Sequence, residues 1–207
     1  KNLKVGHAGT LDPLATGVLL VCIGKATKLA EELQRHDKEY IAGISFGATT
    51  PSYDLEKEID MRYPTDKVSE ESLRIVLKDF IGEQEQIAPL FSAKSIDGVR
   101  AYEIARRNYR QAQKDGSEFD HTDVENLSKQ IINIKEIELL IFHPNGIEKK
   151  EQDELETNSR NLRINVCDNS SLHLPHADIR VACTKGTYIR ALARDIGEAL
   201  SSGAHLD

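Results

Sequence analysis

Residues 6–17 read Gly6-His7-Ala8-Gly9-Thr10-Leu11-Asp12-Pro13-Leu14-Ala15-Thr16-Gly17. One carboxylate, Asp12, sits in a stretch punctuated by Gly6, Gly9, Gly17 and Pro13. Glycine and proline at this density impose a backbone path that ordinary residues resist. Pro13 directly after Asp12 also has the form of a helix start, with proline at the first helical position and aspartate as its cap. Asp12 is therefore either an N-cap or a functional carboxylate on a shaped loop. The local spacing alone predicts the cap.

Outward from this loop the chain alternates strand-like and helix-like runs. Val18–Ile23 is apolar and β-prone and predicts a buried strand. Thr27–Leu33 predicts a helix with Leu29, Ala30 and Leu33 inward. Tyr40–Phe46 alternates and predicts a strand, followed by a loop over Gly47–Tyr53. Ser69–Phe80 predicts a helix capped by Ser69, with Leu73, Val76, Leu77 and Phe80 on one face. Ala101–Ala112 is a further helix. Ile132–Phe142, Leu162–Cys167 and Ile179–Cys183 read as strands, with a polar excursion over Glu148–Ser159. Tyr188–Leu200 is a helix with Leu192, Ile196, Ala199 and Leu200 inward. This pattern predicts an α+β domain, with one domain spanning residues 1–207.

The bulk numbers narrow the classes. At 207 residues the chain fits one domain, or one with an appendage, and 39% hydrophobic content supports a real core but not a membrane span. The most apolar stretch, Leu14–Ile23, is broken by Thr16 and Gly17 and falls short of the ~20 residues a spanning helix needs. Cys22, Cys167 and Cys183 are too scattered for a disulfide framework or a zinc site, so a reducing, cytoplasmic setting is expected. The formal net charge of −7 argues against a general polyanion binder. The charge is uneven, however. Lys94, Arg100, Arg106, Arg107, Arg110 and Lys114 face only Asp97 and Glu103 in the same span. A structured-RNA ligand needs a local basic face rather than a basic whole.

The string around Asp12 closely resembles the active-site motif of the TruB family of pseudouridine synthases, whose matching aspartate is catalytic. Further segments resemble the family's other motifs in order: Lys38-Glu39-Tyr40; Phe91-Ser92-Ala93 with Gly98–Arg106; Cys183–Arg190; and Asp195-Ile196-Gly197 through Gly203-Ala204-His205. The resemblance is to the bacterial type. It implies a catalytic fold with a central, largely antiparallel mixed sheet flanked by helices, and RNA lying across a cleft. It begins at the first catalytic motif and stops at Ala204-His205-Leu206. An earlier strand and helix and a C-terminal RNA-binding extension are thus expected outside this sequence.

The resemblance also implies a reaction: uridine to pseudouridine at position 55 in the T-loop of tRNA. The glycosidic bond breaks, the base turns, and it rejoins the sugar through carbon. Nothing is oxidised, so no cofactor and no metal are expected. The reaction needs a nucleophilic or ion-stabilising carboxylate, a route for the carbon-bound proton, and a pocket for an extruded base. Asp12 fits the first role. Arg190, in Gly186-Thr187-Tyr188-Ile189-Arg190, matches the family arginine and can pair bidentately with a carboxylate. Tyr40 matches the tyrosine that stacks on the target base and helps remove its proton. Tyr188 shapes the base pocket, and His7 matches a histidine that meets the RNA.

Lys185 and Lys25 are candidate phosphate contacts. Arg106 and Arg110, four apart on a helix, share a face and are the better pair for gripping RNA, with one of them free to neutralise Glu103. Lys94 departs from the family. The usual order is Ser-Ala-x-Lys-x-x-Gly, whereas Ser92-Ala93-Lys94-Ser95-Ile96-Asp97-Gly98 places the lysine one position early. In an extended segment that shift turns it to the opposite face. The expected partner is the T-arm of tRNA, with no membrane and a monomeric enzyme. The alternatives are a related synthase acting on another or guide-presented RNA, a non-catalytic RNA-binding or folding module, and a glycosidase. The last would require a second acid at paired spacing.

Overall fold

In His176–Cys183 every second side chain is buried: Ala177, Ile179, Val181 and Cys183. That period of two marks a strand with one face on the core. In the computed structural model, which describes residues 3–92, 94–96, 98–117, 119, 129–147 and 166–207, the strand is the centre of a five-stranded sheet. The elements in chain order are β1 (Val5–His7), β2 (Val21–Ile23), α1 (Ala30–Gln34), β3 (Lys38–Phe46), β4 (Ala48–Thr49), β5 (Met61–Arg62), α2 (Glu70–Asp79), β6 (Gly82–Ile87), β7 (Ser95–Ile96), β8 (Val99–Arg100), α3 (Ala101–Asp115), β9 (Lys129–His143), β10 (His176–Cys183), α4 (Ile189–Ala199) and β11 (Ala204–Leu206). The sheet order is β11-β3-β10-β9-β6, and every pairing described in it is antiparallel.

Helices α2 and α4 cover one face. Leu73 and Leu77 from α2, and Leu192 and Ile196 from α4, meet Ile44, Phe46, Ile132, Ile134, Ile179 and Val181 of the sheet. Each large apolar side chain so buried is worth about 1.5–3 kcal/mol. Gly197 lets α4 lie against β11, because a Cβ there would stand 2.5 Å from the Ala204 nitrogen. The inward residues of β9 change parity along the strand: Ile132 and Ile134, then Ile137 and Leu139, then Phe142. Two register shifts against β10 account for this, leaving Lys135 and Leu140 as the extra residues of β-bulges.

Several expectations change. Residues 8–20 contain no helix. Pro13 and Leu14 form a turn in which the Ala15 N–H donates to the Asp12 carbonyl at 2.9 Å, so Asp12 caps nothing. Only Val21–Ile23 is strand, and Val18 is 89% exposed rather than buried. The 27–33 segment is a 3-10 turn followed by α1, with Leu29 exposed. Ala199 also faces solvent. Val166 and Cys167 lie in no strand, and residues 162–165 and the excursion at 148–159 fall outside the described residues. The Ser69 cap is present as a reciprocal box with Ser72.

On the sheet face away from the helices, buried His176 donates from Nδ1 to Asp207 (3.0 Å) and from Nε2 to Asp178 (3.1 Å). Burial alone would lower the imidazole pKa, but the bonds and charges of Asp207 and Asp178 outweigh it and raise the value. Burial pushes the Asp207 carboxyl up, and the bonds from His176 and Ser45 bring it below its usual range. A raised histidine stabilises the fold fully below about pH 6.5 and loses that contribution as pH rises through the folded value. A lowered aspartate contributes above about pH 4 and loses it as pH falls through the depressed value. The pair is therefore strongest in mildly acidic solution. Thermal unfolding midpoints of the parent protein should fall more steeply between about pH 6 and pH 9 than those of His176→Gln. Parallel pH profiles for the two proteins would contradict this assignment.

Candidate active site

Asp12 and Arg190 are 178 residues apart in sequence and meet in space: Arg190 Nε donates to Asp12 Oδ2 at 2.9 Å. Arg190 lies in the first turn of α4, whose N-cap is Tyr188. Its guanidinium is anchored on all sides. Nη1 donates to the Ser52 carbonyl (3.2 Å) and lies 3.4 Å from Asp54 Oδ2, while Nη2 donates to the Phe91 carbonyl (3.1 Å). The arginine side chain is 9% exposed, and that of Asp12 is 54% exposed. The geometry is thus a fixed cation presenting one N–H to a half-exposed carboxylate. The bidentate pairing expected from the sequence is replaced by a single bond, because the other guanidinium nitrogens are taken.

Asp54 is the residue that sequence reasoning missed. It is buried, accepts from the Ser52 hydroxyl and from the Glu56 N–H (2.9 Å), and shares Arg190 with Asp12. It sits in the loop between β4 and β5. Thr50 braces that loop by donating to the Asp54 carbonyl (2.8 Å) and accepting from the Asp54 N–H (3.1 Å). Tyr53 adopts φ 56, the left-handed region that a bulky residue rarely enters. That kink aims the Ser52 carbonyl and the Asp54 carboxylate at the same guanidinium. The signal in the sequence was Thr49-Thr50-Pro51-Ser52-Tyr53-Asp54, a hydroxyl-rich loop ending in an acid.

Tyr40 lies on the core-facing side of β3, half-buried, beside the apolar core. Burial raises its phenol pKa first, with Cys183 and Asp12 adding to the rise. Tyr188 is raised by burial; Ser92 and Arg190 pull it down and Asp12 pushes it up. Both phenols are therefore within electrostatic reach of Asp12, and Asp12, Tyr40, Tyr188 and Arg190 share one site. His7 ends β1, exposed, with its Nδ1 donating to the Gly9 carbonyl. Lys185 is exposed on the loop between β10 and α4, and Lys25 is exposed after β2.

A small apolar cluster of Leu90, Phe91, Ala101 and Ala105 fastens α3 to the segment that supplies the Phe91 carbonyl. Arg106, Arg107 and Arg110 are exposed on α3, and Arg106 lies 5.4 Å over the Tyr102 ring rather than on Glu103. Lys94 is half-buried, and burial lowers its amine pKa. Among the described residues no group of three His, Cys, Asp or Glu side chains is placed to hold a metal, and no helix is long and apolar enough to cross a membrane.

Comparison with known proteins places this site in a family. Residues 1–150 match the family model of the TruB family pseudouridylate synthase N-terminal domain. The tRNA pseudouridine synthase B of Bacteroides fragilis is 50% identical over 206 residues, covering 100% of this chain and 70% of the relative. That of Thermus thermophilus is 38% identical over 210 residues, covering 98% of this chain and 61% of the relative. Among solved structures, a Cbf5-Nop10-Gar1 complex contains a chain with TM-score 0.55 and 25% identity, covering 99% of this chain and 38% of that one. An H/ACA RNP bound to a substrate RNA containing 2'-deoxyuridine gives 0.52 and 24%, covering 99% and 36%. A single carboxylate on a Gly-rich loop, its arginine partner on α4, the family model matched over residues 1–150 and 50% identity along the whole of this chain lead to one assignment: the chain belongs to the TruB family of pseudouridylate synthases.

Proposed function

We propose that this chain converts uridine to pseudouridine at position 55 in the T-loop of tRNA, with Asp12 as the catalytic carboxylate. The observation that carries the reading is the half-exposed Asp12 carboxylate held by a buried, three-sided Arg190. The substrate class follows the names of the relatives, tRNA pseudouridine synthase B.

The bond from the sugar C1' to the uracil N1 breaks with its electron pair staying on the base, the uracil rotates, its C5 bonds to C1', and the C5 proton passes to solvent while N1 takes one up, so no net proton is gained or lost. Asp12 faces the reacting sugar and base as the charge that attacks or stabilises the detached state. Arg190 keeps that carboxylate oriented while its own charge is balanced by Asp54, so the site needs no metal to hold an anion in place. Tyr40 offers an aromatic face to an extruded uracil, worth ~1–3 kcal/mol in stacking. Like any tyrosine it is a protonated phenol near neutral pH, and burial raises its pKa further. Tyr188 bounds the base pocket, and His7 meets the RNA beside it. A bound base would also cover Asp12, whose side chain is 54% exposed.

The RNA backbone is assigned to the basic side chains of α3, with Lys94, Lys185 and Lys25 as further phosphate contacts. The outer face of the sheet is unsuited to RNA: Arg180 there is surrounded by Glu39, Glu136 and Glu138 at 3.1–3.2 Å. Arg106→Ala combined with Arg110→Ala should weaken tRNA binding and reduce the slope of log affinity against log salt by roughly 1–2, at an unchanged rate with saturating RNA. Titrations at several salt concentrations measure this, and an unchanged slope would move the RNA off α3. The function itself is tested by incubating the full-length protein with an unmodified tRNA transcript and mapping pseudouridine base by base. Product at position 55 is expected; product elsewhere, or none, overturns the reading.

A further inference from the structure

We propose that Gln86 is a positioning residue, one that sets the Tyr188 ring and the Arg190 guanidinium for the reaction through the backbone of Tyr188; this rests on the function proposed above. Gln86 is 2% exposed on the core-facing side of β6, where Glu83 and Glu85 alternate outward. An amide so buried must find partners for both its donor and its acceptor. Both go to one residue 102 positions away: the Tyr188 N–H donates to Gln86 Oε1 (2.9 Å), and Gln86 Nε2 donates to the Tyr188 carbonyl (3.1 Å). The side chain thereby pairs with Tyr188 as a neighbouring strand would.

Tyr188 is a poor place to leave unsupported. It is the N-cap of α4, in extended conformation (φ −93, ψ 112), and makes no side-chain capping bond. Serine, threonine or aspartate is the usual cap, and tyrosine supplies no equivalent bond. The amide of Gln86 replaces local capping with a hold from the sheet. The loop before it is fastened to the same sheet edge. The Thr184 N–H donates to the Asn133 carbonyl (2.9 Å), and Gln130, the cross-strand neighbour of Gln86, donates to the Gly186 carbonyl. Beyond Gln86, Arg194 Nη2 donates to the Ile87 carbonyl (3.1 Å) and Arg190 Nη2 to the Phe91 carbonyl (3.1 Å). With these two contacts Gln86 fixes the register between residues 86–91 and the start of α4, and it is the one that falls on Tyr188 itself.

The rest of α4 is held by Leu192, Ile196 and Leu200 in the core. Loss of the amide therefore displaces the first turn, where Tyr188 and Arg190 lie, more than it unfolds the helix. Misplacing reacting groups by an ångström can cost about 10²-fold in rate.

The test uses Gln86→Met, which keeps the shape without either bond, and Gln86→Glu, in full-length protein with unmodified tRNA. Gln86→Met should lower the single-turnover rate at saturating tRNA by about 10–10²-fold, leave the tRNA Kd within about twofold, and expose the Tyr188 amide to hydrogen exchange. In Gln86→Glu the introduced carboxylate faces the Tyr188 carbonyl and repels it. Once protonated, it donates to that carbonyl and accepts from the Tyr188 N–H as the amide does. Burial raises such a carboxyl towards neutrality, so the ratio of variant to parent rate should climb from about pH 8.5 down to about pH 6. Unfolding scans at both pH values confine the comparison to folded protein, and the pH ratio decides the matter even if Gln86→Met does not fold. A flat ratio, an unchanged saturating rate, or a loss confined to tRNA affinity overturns the proposal. If the parent protein makes no pseudouridine, the proposed function fails instead. Exchange at Tyr188 then decides the clamp by itself: faster in Gln86→Met if the clamp exists, unchanged if it does not.

Discussion

Asp12→Asn is expected to lower the single-turnover rate of pseudouridine formation by about 10³-fold or more, a transition-state loss of about 4 kcal/mol. The substitution removes one charge and keeps the shape. The asparagine oxygen can still accept the 2.9 Å bond from Arg190 Nε, and Arg190 keeps Asp54, Ser52 and Phe91 as partners. Folding stability should therefore change by less than about 1 kcal/mol, because the lost charge is 54% exposed and exposed pairs are weak. Binding of tRNA should hold within a few-fold. Rapid-quench measurements at saturating tRNA, with a parallel binding titration, separate these effects. A variant with normal single-turnover product formation would remove Asp12 from the chemistry.

The reverse asymmetry applies to its partner. Arg190→Met should cost about 3–5 kcal/mol of folding stability as well as activity, since removing one member of a buried ion pair strands the other. Asp54 has a side chain only 9% exposed and would lose its cation, and the Ser52 and Phe91 carbonyls would lose donors in the same pocket. Adding Asp54→Asn to Arg190→Met should recover part of the stability and none of the activity. Chemical denaturation of the single and double variants measures the coupling. A loss for Arg190→Met no larger than that for Asp12→Asn would show that the guanidinium is not the structural centre described here.

Much of this molecule is legible in its sequence, for a local reason. The strand expected at Ile179–Cys183 forms as the second part of β10, and the helix expected at Tyr188–Leu200 forms as α4 with Leu192, Ile196 and Leu200 inward and only Ala199 turned out, because both patterns are properties of a few adjacent residues. The Ser69–Ser72 box closes within one turn. Asp12, Tyr40, Tyr188 and Arg190 stood out because residue type and short spacing carry the family motifs.

Tertiary structure decided what depends on segments far apart. Asp12 could cap a helix by spacing alone, yet the chain makes a turn there and the carboxylate points at an arginine 178 residues on. Nothing in its neighbours pairs Asp54 with a cation, and a left-handed Tyr53 places it on the same guanidinium. Gln86 is one polar residue among several in Gly82–Ile87, and the crossing of β6 with the start of α4 gives its amide two partners. Strand and helix periods arise from neighbouring residues and can be read in one dimension. Ion pairs and clamps across the fold depend on which distant segments the sheet order brings side by side, and no local pattern encodes that.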